Sequence, residues 1–66
     1  MIKLIKTLKV TPTERQFEVN INGKIIQFAK WVDYDFSTDY EILKKAENLT
    51  EGENDELIDF IEEQEI

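Results

Sequence analysis

Residues 15–32, RQFEVNINGKIIQFAKWV, contain the strongest structural pattern of the chain. Apolar and polar side chains alternate from Phe17 to Ile21, which is the period of a half-buried β-strand. Asn22-Gly23 follows and is typical of a two-residue hairpin turn, because both turn positions need a positive φ. A second run, rich in Ile, Phe and Trp, then predicts a paired strand that ends at Val32.

The two-residue turn also predicts the register of this hairpin, with Phe17 opposite Phe28 and Val19 opposite Ile26. One face of the hairpin is then apolar and is the expected core face. Its members are Phe17, Val19, Ile21, Ile26 and Phe28. The other face is mostly polar but carries three apolar side chains, those of Ile25, Ala29 and Trp31.

Residues 2–10 are predicted to form a third strand, although their pattern is mixed. Apolar residues and Lys both recur every three positions there, a spacing that also suits a helix. A strand is preferred because an isolated hairpin is marginally stable in water and a third strand completes a meander. Thr11-Pro12-Thr13-Glu14 forms the connection, and its capping-box sequence allows a single helical turn.

The segment after the hairpin is interpreted as a loop followed by a helix. Residues 33–37 break the alternation. Thr38-Asp39-Tyr40-Glu41 matches a capping box, and the apolar positions after it predict a helix over residues 39–48. The same residues also fit a strand around Tyr40-Glu41-Ile42-Leu43, so this alternative stays open.

The C-terminal segment is predicted to form a final helix. Thr50-Glu51-Gly52-Glu53 is interpreted as a break, and Asn54 or Asp55 as the helix cap. The apolar stripe of this helix comprises Leu57, Ile58, Phe60 and Ile61. Leu57, Ile58 and Ile61 are expected to supply its side of the core. The predicted fold class is therefore α+β, a three-stranded antiparallel β-meander followed by one or two α-helices packed on one face.

Charge divides the chain into two unequal halves. The net charge is −7, and residues 1–66 are expected to form a single domain with a basic sheet part and an acidic helical part. Residues 1–32 hold six basic and two acidic groups, whereas residues 33–66 hold two basic and thirteen acidic groups. The two parts thus carry +4 and −11. The acidic half is either offset by the basic half or available to a basic partner.

The residue types argue against catalysis and against a metal or cofactor site. The chain has neither Cys nor His, which removes the usual zinc ligands and nucleophile–base pairs. Alternating oxygen-bearing residues, Asp33, Asp35, Ser37 and Asp39, resemble a calcium loop only in spacing, because Lys44 stands where such a loop needs its bidentate Glu. A cytoplasmic protein is expected, because the chain lacks disulfides and a membrane span.

The favoured function at this point is a small acidic inhibitor or regulator that binds a protein with a basic surface. Its expected contact residues are Asp55, Asp59, Glu62, Glu63 and Trp31. The four carboxylates fall on one side of the final helix, and exposed aromatics such as Trp31 are enriched at interface hot spots. In size and charge the chain is similar to the acidic nucleic-acid mimics by which viruses and mobile elements inhibit host nucleic-acid enzymes, although no sequence motif supports this resemblance.

Two alternatives accompany this hypothesis. The first is a self-associating assembly module that uses an open sheet edge and the face carrying Ile25, Ala29 and Trp31. The second is a weak nucleic-acid binder that uses the basic N-terminal half. Its candidate residues are Lys3, Lys6, Lys9 and Lys24. Nucleic-acid binding is disfavoured, because the acidic half of so small a domain repels phosphate. No membrane association is expected.

Overall fold

A computed structural model describes residues 2–64 of the chain. It consists of a four-stranded antiparallel sheet and one helix, so the α+β class is confirmed, but the sheet has one strand more than predicted. The strands follow one another in the sheet in chain order. The elements are β1 (Ile2–Val10), β2 (Glu14–Ile21), β3 (Lys24–Val32), β4 (Thr38–Lys44) and α1 (Glu51–Glu63).

The central hairpin forms in the predicted register. Phe17 pairs with Phe28 and Val19 with Ile26 across β2 and β3. Both turn residues have a positive φ, 52° at Asn22 and 86° at Gly23, as a tight two-residue turn of this kind requires. The agreement arises because the turn dipeptide and the alternation of the flanking residues specify the same pairing.

The helix predicted over residues 39–48 is wrong, and the alternative strand around Tyr40-Glu41-Ile42-Leu43 is confirmed, because these four residues lie in β4. Ile42 lies opposite Phe28, and Thr38 lies opposite Val32 on β3. Pairing with β3 satisfies backbone groups that a short isolated helix would leave exposed, and Ile42 packs against the core from this position. The capping-box match at Thr38 is therefore overridden by tertiary structure.

Strand β1 contains two irregularities that explain its mixed pattern. Ile5 and Leu8 are extra residues without a direct partner on β2. Each such bulge adds one residue to the two-residue strand repeat, so every third residue falls on the same face. Lys3, Lys6 and Lys9 therefore share the face opposite α1. Their partners on β2 are Asn20, Glu18 and Gln16.

The connection between β1 and β2 contains no helical turn. The Thr11 backbone N–H donates to the Glu14 carbonyl at 2.8 Å. The Glu14 N–H in turn donates to the Thr11 hydroxyl at 2.9 Å. These two bonds close a short turn that leads directly into β2.

The core lies between the predicted hairpin face and α1. Its buried members are Phe17, Val19, Ile21, Ile26, Phe28, Leu57 and Ile61. From α1, Leu57 and Ile61 are fully buried as predicted, whereas Ile58 is only half-buried. Phe60 takes the expected place of Ile58, because its ring packs edge-on against Phe28 at a centroid distance of 6.3 Å.

Candidate functional site: the outer face of helix α1

The N-terminal end of α1 is held by a capping box that the sequence interpretation missed. Thr50, which was interpreted as part of a break, is the N-cap, and its hydroxyl accepts from the Glu53 N–H at 3.2 Å. The Glu53 carboxylate accepts in return from the Thr50 N–H at 3.0 Å. Neither Asn54 nor Asp55 is the cap. The signal was present, because Thr50-Glu51-Gly52-Glu53 has the capping-box pattern.

Glu53 also connects α1 to the turn of the central hairpin. Its carboxylate accepts from the Lys24 ammonium at 2.5 Å and from the Asn22 side-chain amide at 2.9 Å. The Lys24 ammonium additionally donates to the Asn48 carbonyl. The Lys24 ammonium, followed by the Thr50 backbone and Asn22, lowers the pKa of Glu53 from 4.5 to about 2. Glu53 is therefore a structural carboxylate, ionised at neutral pH, and is not available to a partner.

The C-terminal end of α1 is capped by a lysine from the sheet. Lys30 is buried, and its ammonium donates to the carbonyls of Ile61 at 2.8 Å, Glu62 at 3.0 Å and Gln64 at 2.9 Å. The last turn of the helix contains no basic residue of its own. Lys30 thus supplies the positive charge that the negative end of the helix dipole favours.

Four of the other carboxylates of α1 form an acidic outer face, which is defined here as Asp55, Asp59, Glu62 and Glu63. All four residues are exposed. Within residues 2–64 none of their carboxylates forms an ion pair or a hydrogen bond. At a rise of about 1.5 Å per residue, Asp55 and Asp59 are roughly 6 Å apart along the axis. The acidic outer face is a row of free negative charges on a rigid element.

The basic half of the chain does little to neutralise this face. One ion pair of the described chain, Lys24–Glu53, joins the two halves at 2.5 Å. A second, Lys9–Glu14 at 3.8 Å, lies within the N-terminal half. Lys30 binds backbone carbonyls rather than carboxylates. The charge of the acidic outer face is therefore directed to solvent.

Trp31 does not join the carboxylates with which it was grouped. It lies opposite Glu14 on β2 and Asp39 on β4, on the face of the sheet that points away from α1. Trp31 is half-buried there, and Ala29 on the same face is buried. The sheet lies between Trp31 and the acidic outer face, so one partner surface cannot contact both at the same time.

The alternative set of basic residues is also divided. Lys3, Lys6 and Lys9 share one face of β1, as described above. Lys24 is on the opposite face and is occupied by Glu53 and Asn48. The proposed nucleic-acid-binding set therefore does not form one surface.

The loop between β3 and β4 holds two exposed aromatic residues that the sequence interpretation did not single out. The relative exposure of Tyr34 is 107% and that of Phe36 is 88%, so both residues are almost entirely exposed to solvent. With Thr13, Val32 and Asp33 they line an open cleft of about 490 Å³. Two aromatic residues between aspartates in a predicted loop were the available signal, because neighbouring exposed apolar side chains can mark an interaction site.

Residues 2–64 contain no cluster of three or more carboxylates placed to hold a metal ion. Asp35 instead accepts hydrogen bonds from the Ser37 hydroxyl at 2.6 Å and the Ser37 N–H at 3.1 Å, and these bonds lower its pKa. Within the same residues no helix has the length and apolar composition needed to cross a membrane.

Comparisons with protein-family models, with curated proteins and with solved structures find no match for this chain. The function of the chain is therefore inferred from its surfaces.

Proposed function

We propose that this chain is a protein-binding inhibitor or regulator that docks the acidic outer face of α1 on a basic surface of its partner. The observation that carries the proposal is the free state of that face. Its four carboxylates are exposed and have no cation within the described residues, while the basic residues nearest the helix, Lys24 and Lys30, are used to hold its ends.

The rigidity of α1 supports this function. A helix held at both ends presents its charges in a fixed row, so little conformational entropy is lost when a partner binds. A row of carboxylates spaced by up to about 6 Å along the helix axis presents negative charge on one side, as a nucleic-acid backbone does. The proposed partner class is accordingly an enzyme or regulator of nucleic acids, whose basic groove the helix would occupy in competition with the nucleic acid.

The test begins with capture of partners from a lysate of the source cell or its host on the immobilised protein, followed by elution with a salt gradient. Affinity for the recovered partner is then compared between wild type and a helix-face variant, Asp55→Asn, Asp59→Asn, Glu62→Gln and Glu63→Gln. We expect a loss of about 30-fold, from about 0.5 kcal/mol for each exposed ion pair.

A matched control neutralises four carboxylates outside α1. It carries the changes Glu18→Gln, Asp39→Asn, Glu41→Gln and Glu47→Gln, so its net charge equals that of the helix-face variant. We expect the control to retain most of the affinity, because steering by net charge is common to both variants whereas direct contacts are not. Equal affinities of the two variants would contradict docking through the helix.

Self-association through the edge of the sheet is the second candidate, and one observation favours it. Four apolar residues of the edge strand β1 are exposed, namely Leu4, Ile5, Leu8 and Val10. Opposing it, the same strand has two bulges and a row of lysines, both of which hinder pairing between edges. Sedimentation of the wild-type protein over a wide concentration range tests this candidate, and a monomer throughout would reject it.

A further inference from the structure

The cleft beside the β3–β4 loop has the composition of a site for a planar cation. Tyr34 and Phe36 supply aromatic surface, and Asp33 is the one charged residue among the residues that line it. The cleft, of about 490 Å³, is open to solvent, so an occupant would lie against the rings rather than between enclosing walls. Aromatic faces attract cations through their quadrupole, and a carboxylate beside them adds a hydrogen-bonding counter-charge.

The loop that carries the two rings is ordered by its own hydrogen bonds. The Asp33 N–H donates to the Ser37 carbonyl at 2.8 Å, and the Phe36 N–H donates to the Asp33 carbonyl at 3.0 Å. Ser37 is held in turn by Asp35. Phe36 has a φ of 64°, a conformation in which a bulky residue is rare. The loop thus keeps a ring in solvent in spite of an unfavourable backbone conformation.

The cleft lies at the same end of the molecule as the C-terminal end of the acidic outer face. Ser37, which closes the loop, is followed directly by Thr38. Thr38 lines a second cleft, of about 300 Å³, together with Glu62 of the outer face. A single partner surface can therefore reach the helix carboxylates and the aromatic loop together.

We propose that the cleft formed by Asp33, Tyr34 and Phe36 receives the guanidinium of an arginine side chain from the basic partner. The proposal rests on the proposed function and specifies its chemistry. An arginine is expected rather than a lysine, because the flat guanidinium stacks on aromatic rings and donates two parallel hydrogen bonds to one carboxylate. The lysine ammonium is compact and more strongly hydrated, so it gains less from the same cleft.

Charge favours a cationic occupant over a second copy of this chain. From Trp31 to Leu43 the sequence contains four acidic residues and no Lys or Arg. Two copies that met through this loop would bring their aspartates together, and like charges in a contact are unfavourable. A purely apolar occupant would leave Asp33 desolvated without a partner.

The test uses two peptides of equal length and charge, oligo-arginine and oligo-lysine, titrated into the full chain at physiological salt. The quantity of interest is the ratio of the two affinities, because attraction by net charge is common to both peptides. We expect wild type to bind oligo-arginine about five- to tenfold more tightly than oligo-lysine, as two exposed cation–π contacts allow. A wild-type ratio of one would overturn the proposal.

The diagnostic variant is Tyr34→Leu with Phe36→Leu, which keeps apolar side chains in the loop but removes both rings. Both residues are exposed, so the fold should be retained. We expect the affinity ratio to fall to about one while the oligo-lysine affinity stays unchanged. In wild type the side-chain protons of arginine should also shift upfield in NMR spectra from ring currents. A ratio unchanged in the variant would show that the rings do not select arginine.

The helix-face variant separates this inference from the proposed function. If both are correct, that variant loses affinity for both peptides in the same proportion and keeps the preference for arginine. If only the cleft is correct, the preference remains, and the helix-face variant loses no more affinity for either peptide than the charge-matched control variant does. If only docking through the helix face is correct, the helix-face variant loses affinity for both peptides, and wild type already binds oligo-arginine and oligo-lysine equally.

Discussion

Replacement of Lys30 by methionine tests whether a single ammonium group holds the C-terminal end of α1 to the sheet. Methionine keeps the apolar stem of the side chain and removes three hydrogen bonds, to the carbonyls of Ile61, Glu62 and Gln64. The Ile61 bond is buried, and a buried carbonyl without a donor costs about 1–3 kcal/mol. The other two carbonyls are only part-buried, so water can replace the ammonium there.

The loss of the cation at the negative end of the helix dipole adds about 0.5–2 kcal/mol. The ammonium of Lys30 no longer has to be desolvated, and this offsets part of the loss. The expected decrease in the free energy of unfolding is about 2–3 kcal/mol. Against a total stability of roughly 3–10 kcal/mol for a chain of 66 residues, this is a large fraction. The melting temperature should fall by about 10–20 °C.

The assay is urea unfolding, followed by far-ultraviolet circular dichroism and by the fluorescence of Trp31. Lys6→Met is the matched control, because Lys6 is exposed and forms no ion pair or hydrogen bond within residues 2–64. The control should stay within about 0.5 kcal/mol of wild type. If Lys30→Met were as stable as Lys6→Met, the three carbonyl contacts would not stabilise the fold and the assignment of Lys30 as a helix cap would be wrong.

Three further predictions concern the turn and the start of the helix. Glu53→Gln should lower the urea midpoint at neutral pH. Because the pKa of Glu53 is depressed from 4.5 to about 2, its contribution is complete above pH 4.5 and is lost as the pH falls towards 2. The difference between variant and wild type should therefore shrink over that interval, and a constant difference would contradict the pKa. Thr50→Ala should cost about 1 kcal/mol, whereas Thr38→Ala, with the same motif inside a strand, should leave the helix content unchanged by circular dichroism. Gly23→Ala should destabilise by about 1 kcal/mol because of its φ of 86°, and Gly52→Ala, with open space around the added methyl group, should stabilise by about 0.5 kcal/mol. Thermal melts that gave the two glycine variants the same sign would refute this reasoning.

The parts of the fold that sequence patterns predicted are those specified by neighbouring residues. Asn22-Gly23 and the alternation around it determine the central hairpin without reference to the rest of the chain. The segment at Thr38 was misassigned because its capping box and its strand pattern are both locally acceptable. The choice between them is made by the free edge of β3, a contact that no local pattern contains.

The surface of α1 was likewise predictable only where neighbouring residues specify it. The exposure of Asp55 and its three companions agrees with helical periodicity, while their role in binding stays a prediction. Thr50 carried a usable pattern that was interpreted as a break, so that error was avoidable. No sequence pattern identified Lys30 as a helix cap, because the carbonyls that accept its hydrogen bonds lie 31 to 34 residues further along the chain. Trp31 is separated from the carboxylates by the sheet, and the predicted hairpin register already implied this, because it placed Trp31 on the face away from the core.

The bulges of β1 have a consequence for how this segment acquires its conformation. With one extra residue per repeat, every third residue of the strand falls on one face, which is close to the repeat of about 3.6 residues in a helix. The sequence therefore suits two secondary structures, and pairing with β2 favours the strand. Ribosomes synthesise β1 before β2, and the nascent segment therefore emerges without the template that makes it a strand. The segment is therefore expected to become a strand only when β2 is available to pair with it.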